Sequence, residues 1–343
     1  MSDAPHWTEP GAYQVADGVH RIPLPLPMDG LRAVNVYVLE TEEGLTLVDG
    51  GWAIEEARGR LEDGLDALGH KVRDITRFLV THVHRDHYTQ AVAVRSEFGA
   101  HVSLGLGDKG TLDLVAADQA ADPTPRQLRR AGADGVAASW AKAFAQVRPE
   151  RENYGPPDTW LDGDLELAVG SRTIDAVATP GHTRGHYVFA DRSAGLLFAG
   201  DHVLPTITPS IGFEPNYAEQ PLGDFLGSLA KVRALPDLRL LPAHGPVTDS
   251  AHARVDELVA HHEQRLAQCL AAVGAGRSTA YGVAADLPWT RHARTLAELD
   301  LFNAALASLE TMAHLELLVA RGDLSRGTDG DTRVYAVRAG SAS

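Results

Sequence analysis

The sequence predicts an α/β protein: two sheets with helices outside them, followed by a smaller C-terminal helical unit. Three observations predict it. Short β-branched runs bounded by Gly or acidic residues, each series followed by helical periodicity, occur in two successive blocks before about residue 250, the pattern of layered α/β architecture. Beyond about residue 250 the pattern turns to helices closed by a hairpin-like tail. Histidines and aspartates of metal-ligand type fall where strands of the first part end, and a rigid sheet aims such side chains well. A chain of 343 residues also exceeds the length at which one core usually stops growing. The expected division is therefore a catalytic domain over 1–250 and a C-terminal domain over 251–343.

In the first block, strands are expected over 18–24, 33–39 and 45–49, then a helix from about Ala53 to Leu68 that Gly69 ends. The run Arg77-Phe78-Leu79-Val80-Thr81 reads as a buried strand delivering His82 at its C-terminal end, and a helix follows from about Tyr88 to Phe98. The segment from about 105 to 158 is polar, Ala-rich and helical in pattern, contains Pro123 and Pro125, and closes at Gly155-Pro156-Pro157. It reads as an insertion over the site. Strands resume over 165–169, 173–178 and 195–199, a helix follows from Glu219 to Leu235, and a last strand over 238–242 leads to His244. The C-terminal part carries helical patterns over 252–273, 280–287 and 302–321, then a turn at 327–331 between two short strands. Three helices and a hairpin are the outline of a winged helix.

Composition sets bounds. Hydrophobic residues at 44% and charged residues at 22% describe an ordinary globular chain. A net charge of -15 repels polyanions and argues against sequence-independent binding to a phosphate backbone. The start has no basic and apolar leader pattern, and no run of about 18 apolar residues follows, so the expectation is a cytoplasmic protein without a membrane span. A single cysteine, Cys269, excludes an intrachain disulfide, leaves metal ligation to His and Asp, and reads as a small buried apolar group.

The chemistry concentrates in Thr81-His82-Val83-His84-Arg85-Asp86-His87. Imidazole nitrogen and carboxylate oxygen suit zinc and its first-row neighbours. Further candidates stand in Thr179-Pro180-Gly181-His182-Thr183-Arg184-Gly185-His186, in Gly200-Asp201-His202 and in His244-Gly245. His82 and His84, two apart on an extended turn, can approach one ion. Asp86 and His87, where the chain enters a helix, turn toward a second. His182 can complete the first set and His244 the second, while Asp201 can bridge both through its two oxygens. Two divalent ions about 3.5–4 Å apart would share a hydroxide, because a bound cation lowers the pKa of water to about 7. Zinc is the default, with iron or manganese as alternatives. Asp201 and Asp86 are the catalytic candidates, the first as bridge and the second as proton carrier. His186, His202 and Asp49 are expected beside the ligands, Asp49 as a hydrogen-bond partner of the ligand loop.

These motifs resemble the metallo-β-lactamase-fold superfamily, specifically the hydrolase branch that includes glyoxalase II. The resemblance covers about residues 15 to 250 and implies an αββα sandwich with the site at one edge between the sheets. It also implies His82, His84 and His182 on one ion, Asp86, His87 and His244 on the other, and Asp201 between them. The most familiar β-lactamases place a cysteine where this chain has Asp201, which argues against antibiotic hydrolysis. The basic C-terminal pattern by which glyoxalase II binds glutathione is absent from the sequence. Residues 279–289 and 313–324 instead resemble the winged-helix appendage of β-lactamase-like protein 2 relatives, some of which act on thioesters or polyketide intermediates and one branch of which cleaves RNA.

The expected activity is hydrolysis of a small ester, thioester or lactone by the bridging hydroxide, one ion polarising the carbonyl. Ile207, Ile211, Phe213 and Pro215 offer an acyl-accepting wall. The alternative is a nuclease or phosphodiesterase acting on RNA, which would need a basic groove; Arg126, Arg129 and Arg130, and Arg321, Arg326 and Arg333, are the available arginines. A DNA-reading winged helix is disfavoured because the 302–321 helix carries Glu310 and Glu316 and a lone terminal arginine. A packing role fits better, which leaves a homodimer open. The partner expected is thus a small acyl substrate, without nucleic acid or membrane.

Overall fold

A computed structural model describes residues 6–27, 30–117, 122–145, 151–290 and 293–338. The first five residues of the leader reading and parts of the 105–158 segment lie outside the described residues. The chain divides into two compact units, one of residues 1–117, 150–209 and 228–255, the other of 118–149, 210–227 and 256–343.

The first unit holds two sheets. One has the order β1 (Tyr13–Ala16), β2 (Val19–Pro25), β3 (Ala33–Thr41), β4 (Gly44–Val48), β5 (Ile75–Leu79), β6 (His101–Gly105), β7 (Thr159–Leu161). Its first four strands pair antiparallel, and β4 to β7 run parallel. Parallel pairing needs crossovers. Helix α1 (Glu55–Ala67) connects β4 to β5, and α2 (Arg85–Phe98) connects β5 to β6. The second sheet has β8 (Leu165–Val169), β9 (Arg172–Ala178), β10 (Tyr187–Asp191) and β11 (Leu196–Gly200) as an antiparallel series, with β12 (Arg239–Pro242) parallel to β11.

Strand β3 shows why the layers stack. Its alternate residues face opposite ways. Val36 and Val38 join Ile22, Leu24 and Phe78 against Leu61 and Leu65 of α1 and Tyr88 and Val92 of α2. Tyr37 and Leu39 point to the other side, into a core with Ile174, Phe189, Phe198 and Leu241 of the second sheet. The rings of Tyr37 and Phe198 meet edge to face at 5.4 Å. Covered on both faces, the strand reads as a continuous apolar run.

In the second unit, α4 (Thr124–Arg130) and α5 (Asp134–Ala143) group with α8 (Ala280–Asp286), α9 (Leu301–Arg321) and the hairpin β13 (Leu324–Asp329) and β14 (Thr332–Val337). The intervening α3 (Lys109–Ala116) belongs to the first unit, while α6 (Pro221–Ala234) and α7 (Ala251–Gly274) each have residues in both. The unit boundaries therefore differ from a single cut at 250. The reason is local bonding: the Tyr281 amide donates to the Ala131 carbonyl at 2.8 Å and the Thr332 hydroxyl to the Arg129 carbonyl at 3.1 Å. Glu316, 1% exposed, accepts from Arg326 at 2.6 Å, Arg333 at 2.9 Å and the Tyr335 hydroxyl at 2.7 Å, tying the hairpin to α9. Two of the arginines expected to serve a basic groove are thus engaged with a buried carboxylate. Arg321 likewise pairs with Glu263 at 2.7 Å. Among the described residues, no helix is long and apolar enough to cross a membrane.

Candidate metal centre

All the candidate ligands lie in the first unit, and most follow parallel strands. Asp49 succeeds β4, His82 to His87 succeed β5, Asp201 succeeds β11 and His244 succeeds β12. Loops beyond the carboxyl ends of parallel strands are where α/β sheets place their ligands. His182 stands on the connection from β9 to β10.

The structure brings the seven predicted residues together in two groups. In one, His84 Nδ1 lies 2.9 Å from His82 Nε2 and 3.2 Å from His182 Nε2. In the other, His244 Nε2 lies 3.4 Å from Asp86 Oδ2, which is 3.6 Å from His87 Nε2. Asp201 stands between them. Its Oδ2 is 3.5 Å from His182 Nε2, and its Oδ1 is 3.3 Å from His244 Nε2 and 3.6 Å from His87 Nε2. One carboxylate thus offers one oxygen to each group.

A further ring of groups fixes these side chains. Asp49 accepts from the Thr81 amide at 2.8 Å and the Thr81 hydroxyl at 2.9 Å, and holds His87 Nδ1 at 2.8 Å. Its backbone takes φ 62°, a left-handed conformation that aspartate tolerates better than most residues. His244 Nδ1 sits 2.8 Å from the Ala33 carbonyl and His82 Nδ1 3.0 Å from Thr81 Oγ1. Each of these partners can accept a hydrogen bond from the outer ring nitrogen, which would leave the lone pair of the other nitrogen to point inward. Asn35 donates to the carbonyls of Pro242 and Gly245, which steadies the His244 loop. His186 Nε2 accepts the Asp201 amide at 3.1 Å, with Nδ1 2.9 Å from Thr179 Oγ1, so it holds the bridge residue from behind. His202 is buried, its ring 5.9 Å from that of His186.

Electrostatics divides the two groups. Burial, reinforced by the surrounding imidazoles, pushes His82 well below the ordinary histidine range and His84 down to about 3. Burial works the same way on His87, but Asp86, Asp49 and Asp201 outweigh it and push that imidazole up to about 10. For Asp86 burial favours the neutral acid, yet His87 and His244 hold its carboxyl below the ordinary range. His82 and His84 are thus disposed to stay neutral, while the carboxylates around His87 make a field that attracts positive charge.

That donor set fits divalent cations. His87 Nε2, His244 Nε2 and Asp201 Oδ1 are buried and have no hydrogen-bond partner among the described residues, a costly arrangement unless something else satisfies them. His84 Nδ1 faces the ring nitrogens of His82 and His182, and burial disfavours the doubly protonated rings that would place a proton on every one of them. Four donors, His82, His84, His182 and Asp201, surround one position, and Asp86, His87 and His244 surround another. Imidazole and carboxylate together suit zinc, iron or manganese.

Sequence reading missed Asp108. It is fully buried beyond β6 and accepts from the Val83 amide at 2.9 Å, the Gly185 amide at 2.8 Å and the Thr183 hydroxyl at 3.3 Å. The available signal was a carboxylate following Gly105-Leu106-Gly107 at a strand end. Of the residues expected to form an acyl wall, Ile207 is exposed and Ile211 buried. Phe213 packs within the second unit, its ring 5.7 Å from Trp140 and 5.4 Å from Phe302.

Comparison with known proteins agrees with this arrangement. The family described as "Metallo-beta-lactamase superfamily" matches residues 29–244. A beta-lactamase-like protein 2 homolog of Caenorhabditis elegans is 27% identical over 257 residues, 74% of this chain and 70% of the relative. The probable metallo-hydrolase YqjP of Bacillus subtilis is 24% identical over 322 residues, 91% of this chain and 95% of the relative. Among solved structures, a beta-lactamase domain protein from Burkholderia ambifaria is similar with TM-score 0.79 at 28% identity, covering 98% of this chain and 97% of the other. A metallo-beta-lactamase family protein from Thermus thermophilus gives TM-score 0.71 at 30% identity, covering 95% of this chain and 100% of the other.

Proposed function

From the premise that the chain belongs to the metallo-beta-lactamase superfamily, we propose that it hydrolyses a small ester, thioester or lactone at a centre of two divalent cations, zinc by default. One observation carries the reading: Asp201 directs a separate carboxylate oxygen to each of two buried donor groups. Cations held there would acidify water to a pKa of about 7 and polarise a carbonyl.

The chain's own residues supply the rest. His82, His84 and His182 would hold one cation and Asp86, His87 and His244 the other, with Asp201 shared. Asp49 orients His87 through Nδ1, and His186 orients Asp201 through its amide. Asp86 is 14% exposed at its side chain where His87 is fully covered, so of the two it is the one that reaches toward solvent, and as a carboxylate held low by His87 and His244 it would release a proton readily. The net charge of -15 supports a carbonyl substrate over a polyanion.

Presenting the zinc-loaded protein with a thioester series, a lactone series and a labelled single-stranded RNA tests this. Turnover of at least one carbonyl series is expected. Asp201→Ala should abolish it and lower bound metal. Cleavage of RNA alone would replace the reading with a phosphodiesterase.

A further inference from the structure

We propose that Asp108 is a positioning residue that clamps two ligand loops together and thereby sets cation affinity at the His82, His84 and His182 position selectively. The inference rests on the reading of the centre as a cation site. Asp108 occupies the residue before α3, where a carboxylate ordinarily accepts the amides of the first helical turn. Its side chain makes no such cap. It turns instead to the Val83 amide, which lies between His82 and His84, and to the Thr183 hydroxyl and Gly185 amide, which follow His182. One oxygen serves each loop's amide, so a single carboxylate spans the gap between them.

The packing around it leaves no slack. A side chain on Gly105 would run into the Gly185 carbonyl, one on Gly107 into the Arg184 carbonyl, and one on Gly185 into Asp108 itself. The 182–186 loop therefore lies backbone to backbone on the end of β6. Asp108 is fully buried and forms no ion pair among the described residues, so these three donors are the partners its carboxylate oxygens have. Hydrogen bonds to an ionised group are about twice as strong as neutral ones.

Selectivity follows from where the other ligands are anchored. His87 is held by Asp49, His244 by the Ala33 carbonyl and Asp201 by His186. None of these passes through Asp108. Losing the clamp removes the carboxylate link between the 182–186 loop and the 82–84 turn and leaves the Asp86, His87 and His244 position formed.

The test is zinc titration against a competing chelator, with stoichiometry from elemental analysis and circular dichroism to follow the fold. Wild type is expected to bind two equivalents. Asp108→Ala should weaken one of them by about 10–100-fold, the range typical of lost hydrogen-bond partners of ligands, and leave the other within about twofold. Asp108→Asn retains the shape but only one acceptor oxygen, and should lie between wild type and Asp108→Ala; it carries the test if Asp108→Ala does not fold. Two unchanged equivalents in a folded variant, or equal weakening of both, would overturn the clamp. Failure of wild type to bind zinc, iron or manganese would instead overturn the cation reading on which the clamp depends.

Discussion

At the scale of single residues, three of the converging imidazoles, His82, His87 and His244, are each fixed by a bond at the far nitrogen. Asp49 is the most connected of the fixing groups, reaching the Thr81 amide, the Thr81 hydroxyl and His87 at once. Asp49→Asn keeps an acceptor oxygen and removes the charge that favours a proton on His87 Nδ1. Zinc affinity at the Asp86, His87 and His244 position is expected to fall about 10–100-fold, read by competition with a chromophoric chelator. An unchanged affinity would show that Asp49 serves only the Thr81 turn. The seven residues that converge were readable in sequence because their spacing is local or sits at recognisable strand ends. Asp108 was not, since nothing near it in sequence reveals that residues 83, 183 and 185 converge on it.

The elements carry their own signatures, and two lend themselves to measurement. Asp191 ends β10 and accepts from Arg172 at 2.8 Å, Ser193 at 2.6 Å and the Ala194 amide at 2.9 Å. Burial favours its neutral form, but those three donors outweigh it and hold the carboxyl below its ordinary value. A depressed folded pKa means stability that is present above the unfolded pKa of about 3.9 and lost as pH falls through the folded value. Acid melts should therefore show less loss below about pH 4 in Asp191→Asn than in wild type, although the variant is less stable at neutral pH. Helix α9 supplies the second case. Gly322 takes φ 88° after its last residue, and the Asp323 amide closes back on the Leu318 carbonyl at 3.0 Å. Gly322→Ala should cost about 1 kcal/mol, seen as a lower denaturant midpoint with an unchanged slope. Strand β10 itself had escaped sequence reading: its apolar run follows His186 directly, and the ligand pattern there obscured the strand. Strands such as β3 were legible because both of their faces are apolar.

For the whole molecule, cation binding and folding are linked, because the unfolded chain cannot present seven converging donors. A cation at 100 times its dissociation constant adds about 2.7 kcal/mol. For a unit of this size that corresponds to roughly 5–10 °C in midpoint. Calorimetry with zinc and then with excess chelator should show the rise and its reversal, and a midpoint indifferent to both would remove the linkage. The sequence by itself determined the layered α/β class, the ligand types and their distribution over strand ends, because periodicity and short-range spacing are properties of the chain alone. Tertiary structure decided what depends on distant segments meeting. It set which oxygen of Asp201 faces which histidines, it made Asp108 a link between two loops, and it grouped residues 118–149 with the C-terminal helices. Those outcomes rest on hydrogen bonds between residues far apart in the chain, and no local pattern records them.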